Sequence, residues 1–318
     1  MRSNGEIDKI DLKILDRLEA DARTDLKDIA KECSLTPSAI VKRVKKLKAT
    51  KIIVGTHLDL KRGVLGYPQE ATIGITAENS RVDQIAQKVR AIPNVIVCAK
   101  SIGRYNLFAH VFARDLPELD NVTHLIKNIE GIRAITINIH VDDSVLDLGE
   151  KTNPEREHKI DETDLKIIEE LLNNAQTPFA RIAKTIGISH ETVRSRYEKL
   201  RKEAIIRKCS VLIDRSKIGY QGTAFFLISC SKDQSKQSTY RVLKELQLFY
   251  SLDLVIGGAF DIYGAALVKD LKDLGALTNR LEKIPQIENL EASILFFTYY
   301  SYIPKPLFPY KCDSIELS

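Results

Sequence analysis

An internal duplication constrains the fold of this chain more than any other feature of its sequence. The segment IDKIDLKILDRL, which begins at Ile7, recurs as IDETDLKIIEEL from Ile160. The displacement holds without a gap over 61 positions, of which 20 are identical. Further along, GRYNLF from Gly103 matches GAFDIY from Gly258. Because a repeat of this length is long enough to fold by itself, the sequence predicts two diverged copies of about 150 residues each.

Composition limits the location of the protein and the origin of any strong charge. The net charge is only +5 over 318 residues, so a positive field has to come from local clusters of lysine and arginine. The N-terminal residues lack the apolar core of a signal peptide, and the apolar run ILFFTYYSYI is too short to span a bilayer. Five widely spaced cysteines, without a C-x-x-C pair, indicate reduced thiols. We therefore expect a cytoplasmic protein without membrane contact.

Each copy begins with a segment that has the apolar periodicity of short helices. In copy one, Asp25 and Thr36 stand where helix N-caps are expected, and Pro37 follows in the first turn. Three short helices with a tight connection between the second and third predict a helix-turn-helix. The apolar positions predicted to be buried are Leu12, Ile14, Leu15 and Leu18 on the first helix and Ile40, Val44 and Leu47 on the third. Copy two repeats the third-helix pattern with Val193, Tyr197 and Leu200 behind a cap at Ser189.

The remainder of each copy has the element order β-α-β-β-α-β. This order predicts a four-stranded antiparallel sheet with both helices on one face, the ferredoxin-like arrangement. The bare face of the sheet has to be covered, and a second domain of the same kind is the simplest cover. The predicted fold class is therefore α+β, with two tandem copies of a winged helix-turn-helix domain followed by a ferredoxin-like domain.

The predicted domain limits follow from these patterns and from a linker rich in charged and turn-forming residues. We expect helix-turn-helix domains at 1–66 and 160–219, ferredoxin-like domains at 67–146 and 220–300, the linker at 147–159, and a C-terminal tail at 301–318. The tail is aromatic and proline-rich, and it is predicted to pack over a sheet edge or a neighbouring chain.

The third helix of copy one favours contact with a polyanion. The stretch from Thr36 to Lys51 contains basic residues and no acidic one, whereas a merely solvated helix usually interleaves acids for i,i+4 pairs. The apolar face fixes the phase of this helix and turns the cations to the opposite side, where they suit the phosphates of DNA. The predicted DNA-binding residues of copy one are Ser38, Ala39, Lys42, Arg43, Lys45 and Lys46.

The third helix of copy two is basic as well but also carries Glu191, Glu198 and Glu203. We expect it to bind DNA more weakly than the first, or with a different base preference. Glu191 lies in the first turn, where it could instead accept a hydrogen bond from cytosine N4. The predicted DNA-binding residues of copy two are His190, Thr192, Ser195, Arg196 and Lys199.

Together these residues resemble the Lrp/AsnC family of leucine-responsive and asparagine-operon transcription regulators. The resemblance rests on IDLKILDRLEADARTDLKDIAKECSLTPSAIVKRVKKLKATKII, then LGY, GRYNLFAHVFARD and IEGIRAITINIHV, and it recurs in copy two. It implies a sequence-specific DNA-binding regulator whose sheet domains, called RAM domains, dimerise and bind a small effector, usually an amino acid. Because the family usually has one such unit per chain, the fused pair implies a pseudo-dimer within the chain and leaves its assembly into a homo-oligomer open.

The resemblance also implies an effector site near a G-x-[YF]-D turn. The corresponding residues are Gly103, Tyr105 and Asn106 in copy one and Gly258, Phe260 and Asp261 in copy two. Copy one departs from the pattern, because Asn106 stands where an aspartate would hold an ammonium group more strongly. The alternative interpretation of both glycines is a hairpin turn with unusual backbone angles.

Two other function classes remain open at this point. Siroheme decarboxylases combine the same two domains, and RYNLF echoes their substrate-side strand, although the histidine expected before it is missing and His110 follows instead. A ligand-sensing module that has lost DNA contact is the other alternative. The histidines have no metal-ligand spacing with one another or with cysteine, and no phosphate-binding glycine loop is present. We therefore expect no metal, no cofactor and no enzymatic activity.

Overall fold

The computed structural model describes residues 7–61, 63, 66–141 and 160–296 and divides into two compact units. Unit 1 combines Met1–Val64 with Pro154–Ile218, and unit 2 combines Leu65–Asn153 with Gly219–Ser318. Each unit thus contains one segment from each copy of the repeat. The predicted linker and the predicted C-terminal tail lie outside the described residues.

Unit 1 holds two helix-turn-helix domains of the same construction. Copy one supplies α1 (Lys9–Ala20), α2 (Leu26–Glu32), α3 (Pro37–Ala49) and β1 (Ile53–Leu60). Copy two supplies α6 (Glu162–Asn173), α7 (Phe179–Ile186), α8 (His190–Lys202) and β6 (Ile206–Ile213). The two strands pair antiparallel over their length, from Ile53 opposite Ile213 to Leu60 opposite Ile206. The strand that follows each third helix therefore joins the two domains.

The predicted buried positions of these domains are confirmed with one exception. Ile14, Leu15 and Leu18 of α1 are buried, but Leu12 is 41% exposed. The prediction for Leu12 was wrong because residues three apart drift by about 60° per step around a helix, which turns Leu12 away from the face of Leu15 and Leu18. The apolar faces of α3 and α8 are buried as expected, with Ile40, Val44 and Leu47 in copy one and Val193, Tyr197 and Leu200 in copy two.

Unit 2 holds the strands and helices of the two sheet domains. Copy one supplies β2 (Gln69–Ala77), α4 (Val82–Arg90), β3 (Val95–Ile102), β4 (Leu107–Ala113), α5 (Leu116–Lys127) and β5 (Ile132–His140). Copy two supplies β7 (Gly222–Cys230), α9 (Lys236–Glu245), β8 (Ser251–Ile256), β9 (Ile262–Val268), α10 (Leu271–Leu281) and β10 (Ile287–Leu295). The strand orders β3-β4-β2-β5 and β8-β9-β7-β10 are those of two ferredoxin-like sheets, which confirms the predicted fold class.

The two sheets close into one barrel with the order β10-β3-β4-β2-β5-β8-β9-β7. Two short pairings close it, which we call seams: β5 meets β8 at two residue pairs, and β10 meets β3 at two residue pairs. A buried cluster with residues of both copies includes Tyr105, Phe108, Phe260 and Tyr263. The bare face of each sheet is therefore covered by the other copy, as expected. No helix in the described ranges has the length and apolarity needed to cross a membrane.

Candidate nucleic-acid interface

The third helix of copy one, α3, begins with an N-cap residue followed by a proline. The side chain of Thr36 accepts a hydrogen bond from the backbone N–H of Ala39, and Pro37 occupies the first helical turn, where its missing N–H costs nothing. The buried face of α3 then fixes which of its residues meet solvent.

The exposed side of α3 carries the predicted cations. Lys42, Lys45 and Lys46 are all exposed, as is Ser38 in the first turn, while Ala39 is partly buried. Lys42, Lys45 and Lys46, which we call the lysine face, form no ion pair within the part of the chain that the structure describes. An uncompensated cationic face on an otherwise packed helix is a suitable surface for phosphate groups.

Arg43 occupies a different environment from the lysine face. One of its guanidinium nitrogens lies 2.8 Å from a carboxylate oxygen of Asp8 and 2.7 Å from one of Asp11, which is 2% exposed. Hydrogen bonds to Asp11 and Asp8 raise the pKa of Arg43. The pKa of Asp8 is lowered, first by the backbone N–H of Asp11 and then, against the opposing effect of burial, by Arg43. The side chain of Arg43 thus ties α3 to the first turn of α1, and its contact with DNA stays a prediction.

Copy two repeats this arrangement, in which an arginine of the third helix pairs with two aspartates at the start of the first helix; we call it the clamp. Arg196 of α8 lies 2.6 Å from Asp161 and 2.9 Å from Asp164 at the start of α6. The pKa of Asp161 is lowered chiefly by its hydrogen bond to Arg196. Arg196, like Arg43, therefore ties its third helix to the first helix of the same domain, and its contact with DNA stays a prediction.

The exposed side of α8 is mixed in charge. His190, Thr192, Ser195 and Lys199 are exposed, as predicted for a contact surface. Glu191 and Glu198 are exposed among them; Glu191 lies 3.7 Å from His190, and Glu198 lies 4.0 Å from Arg194. The hydroxyl of Ser189 accepts a hydrogen bond from the backbone N–H of Thr192, so Ser189 caps α8 as predicted.

Contacts besides the strand pairing hold the two helix-turn-helix domains together. Arg23 of copy one donates hydrogen bonds to the carbonyl oxygens of Ala175 (2.7 Å) and Thr177 (3.0 Å). Its guanidinium carbon lies 4.1 Å from the ring centre of Phe179 and 5.3 Å from that of Tyr197. In unit 1, the two DNA-binding candidates are thus parts of one packed body.

In unit 2, the predicted effector residues of copy one lie partly in the barrel and partly beside a cavity. Gly103 has φ +148°, and a Cβ there would lie 2.9 Å from the Cα of Ser293 on β10. Tyr105 is buried against Phe108, with ring centres 5.4 Å apart. Asn106 accepts a hydrogen bond from the backbone N–H of Ala77 at 2.6 Å. A cavity of about 540 Å³ is lined by Asn106 together with Thr76, Ala77, Glu78, Asn79, Ser80 and Arg133.

The predicted effector residues of copy two are engaged by the chain itself. A Cβ at Gly258 would overlap the side chain of Asn138 on β5, so this glycine, like Gly103, lies where the two copies approach closely. Phe260 is 2% exposed. The carboxylate of Asp261 accepts the backbone N–H of Cys230 at 2.8 Å and pairs with the ammonium group of Lys236. Asp261, the residue expected to bind the ammonium group of an effector, is therefore already paired with the ammonium group of Lys236.

Sequence reasoning missed the carboxylates of the two clamps, Asp8, Asp11, Asp161 and Asp164. A signal was available, because both aspartates and the arginine that pairs with them recur at the same positions of the two copies. Their separation of 35 and 32 residues along the chain concealed the contact.

Comparisons with known proteins agree with these domains. Residues 7–48 and 160–201 match the AsnC-type helix-turn-helix domain, and residues 70–145 match the Lrp/AsnC ligand binding domain. An uncharacterized HTH-type transcriptional regulator of Pyrococcus horikoshii is 34% identical over 143 residues, which are 44% of this chain and 88% of that protein. The regulatory protein AsnC of Haemophilus influenzae is 32% identical over 145 residues, or 43% of this chain and 91% of its own length.

Among solved structures, the siroheme decarboxylase NirDL has the same fold over both copies. Its crystal structure covers 94% of this chain and 97% of its own with a TM-score of 0.62. The sequence identity is 14%, so the likeness concerns the architecture of a fused pair and not its chemistry.

Proposed function

The chain belongs to the Lrp/AsnC family of DNA-binding transcription regulators, and we propose that it binds one asymmetric operator through the unequal helices α3 and α8. The observation that carries the proposal is the lysine face of α3, which is exposed and free of ion pairs with the described residues. The corresponding positions of α8 are Ser195, Glu198 and Lys199. A pair of different recognition helices suits two half-sites of different sequence.

In this proposal the cations position the protein and the short side chains select the bases. Lys42, Lys45 and Lys46 contact phosphates, which fix register and carry no sequence information by themselves. Ser38 and Ala39 at the start of α3 allow close approach to base edges, and Thr192 and Ser195 take the same role on α8. Each clamp holds its helix rigidly enough for such contacts to be selective.

The pairing of β1 with β6 supports the proposal that the two helix-turn-helix domains of one chain bind DNA together. Dimeric helix-turn-helix proteins bind half-sites about one helical turn, roughly 34 Å, apart. Since both domains lie in unit 1, one chain suffices for both half-sites, and we place the protein in the cytoplasm with the DNA that it binds. A footprint one helical turn longer than a single half-site supports this proposal, and a footprint of one half-site only shows that copy two has lost DNA contact.

The experiment that tests the DNA interface is a selection of bound fragments from random DNA, followed by mobility shifts at several salt concentrations. The variant Lys42→Ala/Lys45→Ala/Lys46→Ala is expected to reduce the log–log salt slope by about 2.7, at about 0.9 per lost phosphate contact. The matched control, Lys88→Ala/Lys127→Ala/Lys283→Ala, removes the same charge from exposed lysines of unit 2 and is expected to leave the slope unchanged. Equal losses in both variants overturn the interface.

We further propose that an amino acid binds in the cavity beside Asn106. The cavity offers the guanidinium of Arg133 for a carboxylate and the carboxylate of Glu78 for an ammonium group. Its volume of about 540 Å³ is within the range of small-molecule sites. Asn106 is held by Ala77 and donates to Asn79 at 2.9 Å, which leaves the two charged residues to select a zwitterion.

Calorimetry with a panel of amino acids tests this site. Arg133→Gln and Glu78→Gln are each expected to abolish measurable binding of an amino acid that binds the unchanged protein. Lys236→Gln is the control, because it alters only the equivalent region of copy two. Unchanged affinity in Arg133→Gln places the effector elsewhere.

We propose that the chain is not an enzyme, although it shares its architecture with a siroheme decarboxylase. The exposed lysine face supports DNA binding, and the sequence identity to that enzyme is only 14%. Incubation with siroheme and measurement of the porphyrin spectrum tests this point: an unchanged spectrum is expected, and conversion of siroheme refutes the proposal.

A further inference from the structure

Unit 2 contains a buried cluster of two histidines and one carboxylate that the regulator function does not use. Glu70 lies on β2, His110 on β4 and His140 at the end of β5. One potential ligand atom from each lies within 4.8 Å of the others. Asp253 of β8 extends the cluster, with a carboxylate oxygen 3.4 Å from Nδ1 of His140. No local spacing in the sequence predicts this group, because its members lie on four different strands.

The histidine nitrogens that face the cluster lie close to carboxylate oxygens but form no hydrogen bond of acceptable geometry. Nε2 of His110 and Nδ1 of His140 are both buried and unsatisfied, and the side chain of His140 is only 3% exposed. Glu70 is almost as deeply buried, at 7%. A buried polar atom without a well-formed hydrogen bond costs up to about 1–3 kcal/mol, and a bound ion that coordinates both nitrogens would offset this cost.

The distances between the candidate ligand atoms suit a tetrahedral ion. Ligands about 2.0–2.1 Å from a tetrahedral Zn²⁺ lie roughly 3.3 Å from one another. Nδ1 of His140 lies 3.5 Å from Oε1 of Glu70 and 3.4 Å from Oδ1 of Asp253. Nε2 of His110 lies 2.8 Å from Oε1 of Glu70, so this one pair has to open by about half an ångström to admit an ion.

Two hydroxyl groups orient the side chains of His140 and Asp253 through the atoms that do not face the cluster. Oγ1 of Thr72 lies 2.7 Å from Nε2 of His140, which leaves Nδ1 of that ring directed at the carboxylates. The hydroxyl of Ser251 donates to Oδ2 of Asp253 at 2.9 Å and leaves Oδ1 towards His140. Metal-binding histidines are usually held in this way by a hydrogen bond from their other nitrogen.

We propose that Glu70, His110, His140 and Asp253 form a binding site for a divalent transition-metal ion of the zinc class. Two imidazoles favour such an ion over Mg²⁺ or Ca²⁺, which prefer all-oxygen ligands. The two carboxylates balance the charge of the ion, and the mixed nitrogen and oxygen ligands suit its intermediate softness. This inference is independent of the proposed DNA contacts, since all four ligands belong to unit 2.

The position of the site gives the ion a structural role. Glu70, His110 and His140 come from copy one and Asp253 from copy two, and His140 itself pairs with Val255 where β5 meets β8. The ion therefore fastens a seam that the backbone closes with only two residue pairs.

The second seam provides an internal comparison. The residues of copy two at the repeat positions of Glu70, His110 and His140 are Thr223, Ala265 and Leu295. None of these is a good ligand for a transition-metal ion. The chain is therefore expected to bind one ion, at the β5–β8 seam alone.

The test uses the full chain, stripped with a chelator and dialysed, with Zn²⁺ and Co²⁺ as the probes. One equivalent of Zn²⁺ is expected to bind per chain and to raise the melting temperature, because an ion that binds only the folded state stabilises it. Co²⁺ is expected to show the visible absorption of a tetrahedral site with nitrogen and oxygen ligands. If neither probe binds at tenfold excess, the cluster is an ion pair only and the proposal is overturned.

Variants distinguish this site from other histidines. His110→Gln, at the most exposed ligand, is expected to weaken Zn²⁺ binding by more than about 100-fold, and Thr72→Val by about 10–100-fold, the usual effect of losing an orienting partner. His124→Ala removes an exposed histidine of α5 and is expected to change nothing. Unchanged stoichiometry and affinity in His110→Gln overturn the proposal. Should that variant fail to fold, the Co²⁺ spectrum of the unaltered chain decides alone.

Discussion

Copy one turns Lys42, Lys45 and Lys46 to solvent on its third helix, whereas copy two has Ser195, Glu198 and Lys199 at the same repeat positions. Behind these faces the two domains are alike. Each third helix buries three side chains at the same spacing, and each is tied by an arginine to two aspartates of its first helix. The contacts that hold the helix in place have thus been kept in both copies, while the surface that it presents has diverged.

The clamp offers the largest expected effect. Removing the guanidinium in Arg43→Ala leaves the buried carboxylate of Asp11 without its cation. Because Arg43 is 28% exposed, we expect a loss of about 3 kcal/mol in the free energy of unfolding, at the low end for a buried pair. Arg196→Ala is expected to cost about the same, because Asp164 is buried to the same degree. Urea unfolding followed by circular dichroism measures both. The matched control is Arg194→Ala, on the exposed side of α8, with an expected change within about 0.5 kcal/mol.

A clamp variant that kept full stability but lost DNA affinity would show that its arginine contacts DNA directly. Unequal losses of stability in Arg43→Ala and Arg196→Ala would show that the two clamps have diverged in strength, as the exposed faces of the third helices have diverged in charge.

A single lysine position present in both copies gives the next effect. Lys46 and Lys199 are equivalent in the repeat, so Lys46→Ala and Lys199→Ala remove the same group from the two surfaces. Lys46→Ala is expected to reduce the salt slope of DNA binding by about 0.9, and Lys199→Ala by less, because Glu198 and Glu191 keep the second surface farther from phosphates. Mobility shifts over a range of salt concentrations measure both slopes. Identical slopes in the two variants would remove the proposed asymmetry.

A substitution that adds a lysine to α8 tests whether the exposed face of copy two can be made to bind DNA like that of copy one. Glu198→Lys gives copy two the residue that copy one has at Lys45, and we expect a several-fold gain in DNA affinity with a salt slope about 0.9 steeper. Glu203→Lys serves as the control, since Glu203 lies at the C-cap of α8. A gain of the same size in both variants would mean that net charge, and not the face of the helix, determines binding.

The smallest expected effect concerns pH. The pKa values of Asp8 and Asp161 are lowered from 3.8 in the folded protein, so each contributes stability that is present above pH 4 and is lost as the pH falls through the folded-state pKa. Arg196 is the main cause of the shift at Asp161, whereas a backbone N–H is the main cause at Asp8. Arg196→Ala should therefore raise the acid-unfolding midpoint more than Arg43→Ala does. Circular dichroism during acid titration measures the midpoints, and the reverse order contradicts this assignment.

The features that were predictable from sequence are those with local causes. The caps at Thr36 and Ser189 and the buried faces of α3 and α8 follow from residues within one or two helical turns. The ferredoxin-like order of each sheet follows from the alternation of strand-like and helix-like segments.

What the sequence concealed depends on contacts between distant segments. The ion pairs of Arg43 and Arg196 could not be predicted from their basic helices, because the aspartate partners lie far away along the chain. The pairing of Lys236 with Asp261, and the meeting of Glu70, His110 and His140, depend on strand register, which no local pattern specifies.

The ladder between β1 and β6 has a consequence for how such a regulator responds to its own abundance. A regulator assembled from separate subunits falls apart on dilution, and its occupancy of DNA then depends steeply on the number of molecules in the cell. In the proposed mode of binding both halves belong to one polypeptide, so occupancy would rise in simple proportion to expression when the protein is scarce. Covalent fusion also keeps the two unequal halves together, so in this mode each DNA site would meet the same pair of different third helices.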